Sequence, residues 1–87
     1  MPYIPQENRD KIDARYFRPP KMFTPGELNY TITRLLLSQG PRRYADYNAL
    51  IGVLECCKLE LYRRAVAVYE DRKAAESGDI PGYGGQA

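Results

Sequence analysis

The sequence predicts an all-α protein: an antiparallel helical hairpin with an extended N-terminal arm, assembled with copies of itself. Three observations lead there. A segment from about Tyr44 to Ala75 contains no proline and a single glycine, Gly52. A strong helix-start signal at Thr24-Pro25-Gly26-Glu27 opens a second periodic stretch, joined to the first by only Gly40-Pro41-Arg42-Arg43. The chain of 87 residues carries only 20 Leu, Ile, Val, Met and Phe side chains, a thin core that burial against another copy would reinforce.

The arm, residues 1–23, mixes charge with Pro2, Pro5, Pro19 and Pro20. Proline removes amide donors and fixes φ, so the arm is expected to be extended, with at most a short helical turn around Asn8 to Tyr16. The hairpin domain, residues 24–76, begins at Thr24, whose hydroxyl can accept from the Glu27 amide while Glu27 reaches back, with Pro25 at the first helical position. Leu28, Ile32, Leu35, Leu36 and Gln39 recur at helical spacing until Gly40 offers a left-handed cap and Pro41 forbids continuation. The short helix is therefore expected over about 25–39.

The long helix is expected over about 44–75. Tyr47, Leu50, Leu54, Cys57, Leu61, Ala65 and Val68 repeat at three and four and fall within about 80° of one another on a helical wheel. So short a link makes the two helices antiparallel neighbours. Two helices alone cannot enclose a core. A second face carries only short side chains, Ala49, Gly52, Val53 and Cys56, which would let another helix approach closely and reads as a subunit contact; the alternative is that the arm folds over it. The glycine-rich tail, residues 77–87, has no periodicity and is expected to be loosely ordered or to strap a neighbour.

Charge and composition narrow the chemistry. The formal net charge is +2, too balanced for a non-specific coat on a nucleic-acid polymer. Residues 1–43 nevertheless carry +4 and residues 44–87 carry −2, so the front half is the one suited to meet an anion. Eight tyrosines and no tryptophan provide rings for interface packing or base stacking. The polar start and the shortness of the longest apolar run, Leu35 to Leu37, argue against a signal peptide or membrane span. A soluble cytoplasmic protein is expected, in a reducing compartment suited to the adjacent Cys56 and Cys57.

No histidine is present, which removes most acid/base chemistry and any Cys/His zinc site. The cysteine pair, set among Val53 and Leu54 with no base to ionise it, reads as buried inert thiols. A magnesium site of the helical nucleotide pyrophosphohydrolase kind would draw on Glu55, Glu60, Glu70 and Asp71, but Glu55 and Glu60 lie about 140° apart on the wheel. Interleaved bases would also neutralise such a set. No enzyme activity, metal or cofactor is expected.

The candidate ligand residues are cationic and aromatic. Arg42 and Arg43 precede the long helix, where free amides and the helix dipole favour negative charge, and Tyr44 lies beside them. Asn48, among Leu50 and Ile51, needs a hydrogen-bond partner, either the hairpin loop or a base edge. Lys58, Tyr62, Arg63 and Arg64 form a second group; with Glu55 and Glu60 three or four residues earlier, the bases there read as solvated ion pairs or as an anion site.

The residues Asn29-Tyr30-x-Ile32-Thr33, Tyr44, Asn48, Ile51-Gly52-x-Leu54-Glu55, Lys58-Leu59-Glu60, Tyr62-Arg63-Arg64, Tyr69-Glu70-Asp71 and Lys73, followed by Gly78-Asp79, resemble a recurring family of short proteins of unknown function from phages, prophages, bacteria and archaea. Val68 stands where that family often carries proline. The architecture is similar to that of phage anti-defence sponges, two-helix proteins that oligomerise and hold cyclic nucleotide or cyclic ADP-ribose type immune signals between subunits. The resemblance implies a viral, non-enzymatic homo-oligomer in the host cytoplasm. The residues themselves lead us to expect Arg42, Arg43, Tyr44, Asn48, Lys58, Tyr62, Arg63 and Arg64 to face such a ligand, and Ala49, Gly52, Val53 and Cys56 to lie between subunits. The competing expectation is a helical protein-interaction module with no small-molecule ligand, using Tyr62, Tyr69 and the charged face.

Overall fold

The computed structural model describes residues 2–17 and 23–83. The described residues contain α-helix and turns and no strand. The chain divides into two units, one ending at Val53 and the other beginning at Leu54.

In the first unit, α1 spans Gln6–Tyr16. The arm is thus a three-turn helix over this stretch, which corrects the expectation of an extended arm. Its prolines border the helix: Pro5 is the N-cap residue, and its carbonyl accepts the amides of Asn8 and Arg9 at 3.0 and 3.1 Å. No proline lies between Gln6 and Phe17, and local bonds support the helix, Gln6 Nε2 donating to Asp10 Oδ1 at 2.8 Å and Arg9 Nε to the Ile4 carbonyl at 2.8 Å. Proline disrupts a helix only from inside it. The expected role of Pro19 and Pro20 lies outside the described residues.

The second helix, α2, spans Pro25–Leu37. Its start is the expected capping box: the Glu27 amide donates to Thr24 Oγ1 at 3.2 Å, and the Thr24 amide to Glu27 Oε1 at 2.9 Å. Ser38 and Gln39 complete a turn, and Gly40, at φ 68°, donates its amide to the Leu37 carbonyl at 3.1 Å. A residue with a Cβ is disfavoured at that φ, and Pro41 follows it. No residue of α2 is buried among the described residues. Leu28 and Leu35 remain 47% and 51% exposed, and Tyr47 50%.

The third helix, α3, spans Tyr44–Leu61 and reaches into the second unit, where a π-helical turn, Tyr62–Val66, and α4, Ala67–Ser77, follow directly. The long helix therefore exists, but it is interrupted: the Ala67 amide donates to the Tyr62 carbonyl five residues back. A π turn takes up one residue more than an α turn, which sets back everything after it by about 100°. Leu54, Cys57 and Leu61 hold the expected stripe, whereas Val68 is rotated off it and Tyr69 takes its place.

The tail is ordered as far as Tyr83. Gly78 at φ 86° and Gly82 at φ 99° turn the chain, and the Tyr83 amide donates to the Ile80 carbonyl at 3.0 Å. The expectation of a loose tail at residues 84–87 lies outside the described residues. Among the described residues no side chain is buried.

Candidate functional site

The first candidate group sits at the start of α3. The Arg43 carbonyl accepts the amides of Asp46 and Tyr47 at 2.9 and 3.2 Å, which makes Arg43 the residue that opens the helix. Asp46 Oδ2 then accepts the amides of both Arg42 and Arg43 at 3.0 Å. These bonds, that of Arg43 first, hold the Asp46 carboxyl below the ordinary aspartate range. An internal carboxylate thus engages the backbone amides of the two arginines expected to face an anion. The acid three residues into the helix is the signal for this, the same capping logic that identifies Thr24 and Glu27.

The side chains of this group are open. Arg42 and Arg43 are exposed and neither forms an ion pair among the described residues, and Tyr44 is 84% exposed. Asn48 is also exposed, with its amide open to solvent. Asp46, not Asn48, holds the link between the helices.

The second group surrounds the π turn, and most of its charge is matched internally. Lys58 Nζ lies 3.1 Å from Glu55 Oε1, and Arg63 Nη2 lies 3.3 Å from Glu60 Oε1. Both are the expected surface pairs with the acid N-terminal to the base. Arg64 is exposed. The Tyr62 hydroxyl donates to Glu70 Oε1 at 2.9 Å, eight residues on. On an uninterrupted α-helix these two residues would be about 80° apart; the extra residue of the π turn brings them onto one face. The hydrogen bond to Glu70 and the charge of that carboxylate push the Tyr62 hydroxyl above the ordinary tyrosine range. Periodicity alone misses the π turn and with it this pair.

The small-residue positions Ala49, Gly52, Val53 and Cys56 are all exposed, and among the described residues nothing stands within 4 Å of where a Gly52 Cβ would lie. The described part of the arm therefore does not cover Gly52. Cys56 and Cys57 are both exposed free thiols, which corrects the expectation of buried ones: a helix without a covering layer leaves every face open.

The second unit also contains a shallow groove of about 520 Å³ between α4 and the tail, with Tyr69, Lys73, Asp79 and Tyr83 among its walls. Lys73 Nζ sits 5.6 Å from the centre of the Tyr69 ring and 3.5 Å from Glu76 Oε2, so the cation on this wall already has local partners. Among the described residues no three His, Cys, Asp or Glu side chains are placed to hold a metal ion, and no helix is long and apolar enough to cross a membrane.

No curated protein and no solved structure matches the chain. Residues 1–80 match a protein family along almost their whole length, from the helical arm through the π turn to the Gly78 turn. With its two capped helix starts and its π-turned helix, the chain belongs to the family described as Domain of unknown function (DUF6899).

Proposed function

We propose that the protein is a non-catalytic helical module that works by self-association, its hairpin closing only when copies supply the missing layer. One observation carries this reading: no described side chain is buried, and Leu28, Leu35, Leu37, Ile51, Leu59 and Leu61 are each between 47% and 65% exposed. Such apolar surface marks an interaction site on a folded protein. The open positions Ala49, Gly52, Val53 and Cys56 suit close helix approach, and helix–helix burial of this kind adds about 25 cal/mol per Å² of apolar surface. Light scattering at micromolar concentration tests it. A mass that is a multiple of 10.0 kDa is expected, with Gly52→Leu splitting the assembly; a helical monomer overturns the reading.

A second reading, sequestration of a small anionic cyclic nucleotide by the assembly, draws on the open guanidiniums of Arg42 and Arg43 beside the open Tyr44 ring. Because Asp46 occupies the amides there, phosphate binding would fall to the side chains, which can be bidentate. Asn48, Lys58, Tyr62, Arg63 and Arg64 complete the proposed ligand set in the assembly. Losing one such arginine contact should weaken binding by about tenfold to a hundredfold. Thermal-shift screening of cyclic di- and trinucleotides and cyclic ADP-ribose isomers decides. No shift, or shifts that survive Arg42→Ala and Arg43→Ala together, leaves self-association without a nucleotide; a stoichiometric protein partner in a pull-down favours a hetero-interaction module.

A further inference from the structure

The π turn has no cause in its own composition. Tyr62–Val66 reads Tyr-Arg-Arg-Ala-Val, and neither glycine nor proline occurs between Val53 and Ser77. Arginine and alanine favour the α-helix, so nothing in the segment itself interrupts the passage from α3 to α4. π turns are rare, and as single turns inside α-helices they are frequent at functional sites. Tyr62 supports this one twice. Its carbonyl accepts the Ala67 amide five residues on, a bond of the π kind. Its hydroxyl donates to Glu70 Oε1 at 2.9 Å, eight residues on and past the end of the turn. The neighbouring ion pairs do not span the turn in this way: Glu55 with Lys58 lies before it, Lys73 with Glu76 after it, and Glu60 with Arg63 reaches only into its start.

We infer that the Tyr62–Glu70 hydrogen bond is a latch on the π register, and that α4 is an element with two positions. With the bond made, α4 follows the end of α3 in the π phase; with the bond lost, the turn closes to an α turn and α4 advances by about 100° around the helix axis. A rotation of that size carries each side chain of α4 to the face its neighbour held. In the α phase Tyr62 and Glu70 stand about 80° apart and on different faces, so the bond and the π register depend on each other. Both side chains are exposed, and a hydrogen bond in contact with water is weak enough for a change at either side chain to release it. Helix register shifts of this kind take microseconds to milliseconds. Both groups belong to one copy of the chain, so the latch operates with or without the self-association proposed above.

Through-hydrogen-bond N–C′ couplings in the isotope-labelled full chain identify the carbonyl to which the Ala67 amide donates. In the wild type that carbonyl is expected to be Tyr62. Tyr62→Phe keeps the ring and removes only the donor, and Glu70→Ala removes the acceptor. In each, the main coupling should move to the carbonyl of Arg63, four residues back, a swing of at least about tenfold in the ratio of the two registers. Glu76→Gln breaks an ion pair of α4 outside the latch and should leave the coupling at Tyr62. An Ala67 amide still coupled mainly to Tyr62 in either latch variant overturns the latch, as does a move to Arg63 in Glu76→Gln or a wild type already coupled to Arg63. Loss of both couplings together with the helical carbon shifts of residues 62–77 overturns it as well, because the bond would then hold the helix together and not select its register.

Discussion

Asp46 accepts the backbone N–H of Arg43 at 3.0 Å and that of Arg42 at the same distance, so the start of α3 is closed by a carboxylate from within the helix. The two arginines beside it keep their side chains free while their amides are engaged. Cap and cation therefore share two residues, Arg42 and Arg43, through different atoms.

Asp46→Ala separates the two roles. Without the carboxylate the first turn of α3 loses its cap, and the melting temperature falls by a few degrees. The same change uncovers two amides beside two guanidiniums, so affinity for inorganic phosphate rises severalfold. Asp46→Asn, which keeps an acceptor oxygen, falls between the two in a thermal melt followed by circular dichroism and in calorimetric titration.

Acid loosens both helix starts. Glu27 is held below its ordinary 4.5, chiefly by the Thr24 amide, and Asp46 below its ordinary 3.8, chiefly by the Arg43 amide. A carboxyl whose folded-state value is depressed contributes its full stability above the ordinary value and loses it as pH falls through the depressed one. Helix content at fixed temperature is therefore level above pH 4.5 and declines below 3.8. The decline is smaller in a Glu27→Gln, Asp46→Asn double variant, as a circular-dichroism titration would show.

Tyr62 behaves in the opposite sense. Glu70 raises its hydroxyl above the ordinary 10.0, so the bond is complete below that pH and is lost as pH rises through the elevated value. Ultraviolet absorbance should show one phenol ionising later than the rest, and Tyr62→Phe or Glu70→Gln should remove that late component.

Glycines at two positions should respond with opposite signs. Gly40→Ala forces a Cβ into the left-handed region at φ 68° and costs about 1–2 kcal/mol. Gly52→Ala has open space in a helix interior and favours that helix by about 1 kcal/mol. Melts of the two variants below the assembly concentration test both signs.

The sequence reveals the helices more fully than their phase. Thr24 with Glu27 and Gly40 with Pro41 are local devices, and they bound α2 within two residues of the expected limits. In the arm the sequence locates the helical stretch around Asn8 to Tyr16 but understates its length, because Pro5 bounds the helix from outside and leaves the run after it free to form three turns. The stripe is right through Leu61 and fails at Val68, because a fixed rotation per residue cannot register an inserted one. At the candidate site, Arg42, Arg43 and Tyr44 are exposed, while what they bind is not written in their exposure. Asp46 is legible only as an acid three residues into a helix, a signal that composition and charge do not isolate, and apolar neighbours in sequence do not bury Asn48, which is exposed.

The bonds that hold these helices join near neighbours, Thr24 with Glu27, Arg43 with Asp46 and Tyr62 with Glu70, and this has a kinetic side. Contacts of such short reach form within about a microsecond in a polypeptide, well before two molecules meet at cellular dilution. Under self-association, the slow step in reaching the working state is then the encounter of ready-made helices. Its half-time shortens as concentration rises, and a dilute chain remains an open, protease-accessible helix that gains protection only by finding another copy.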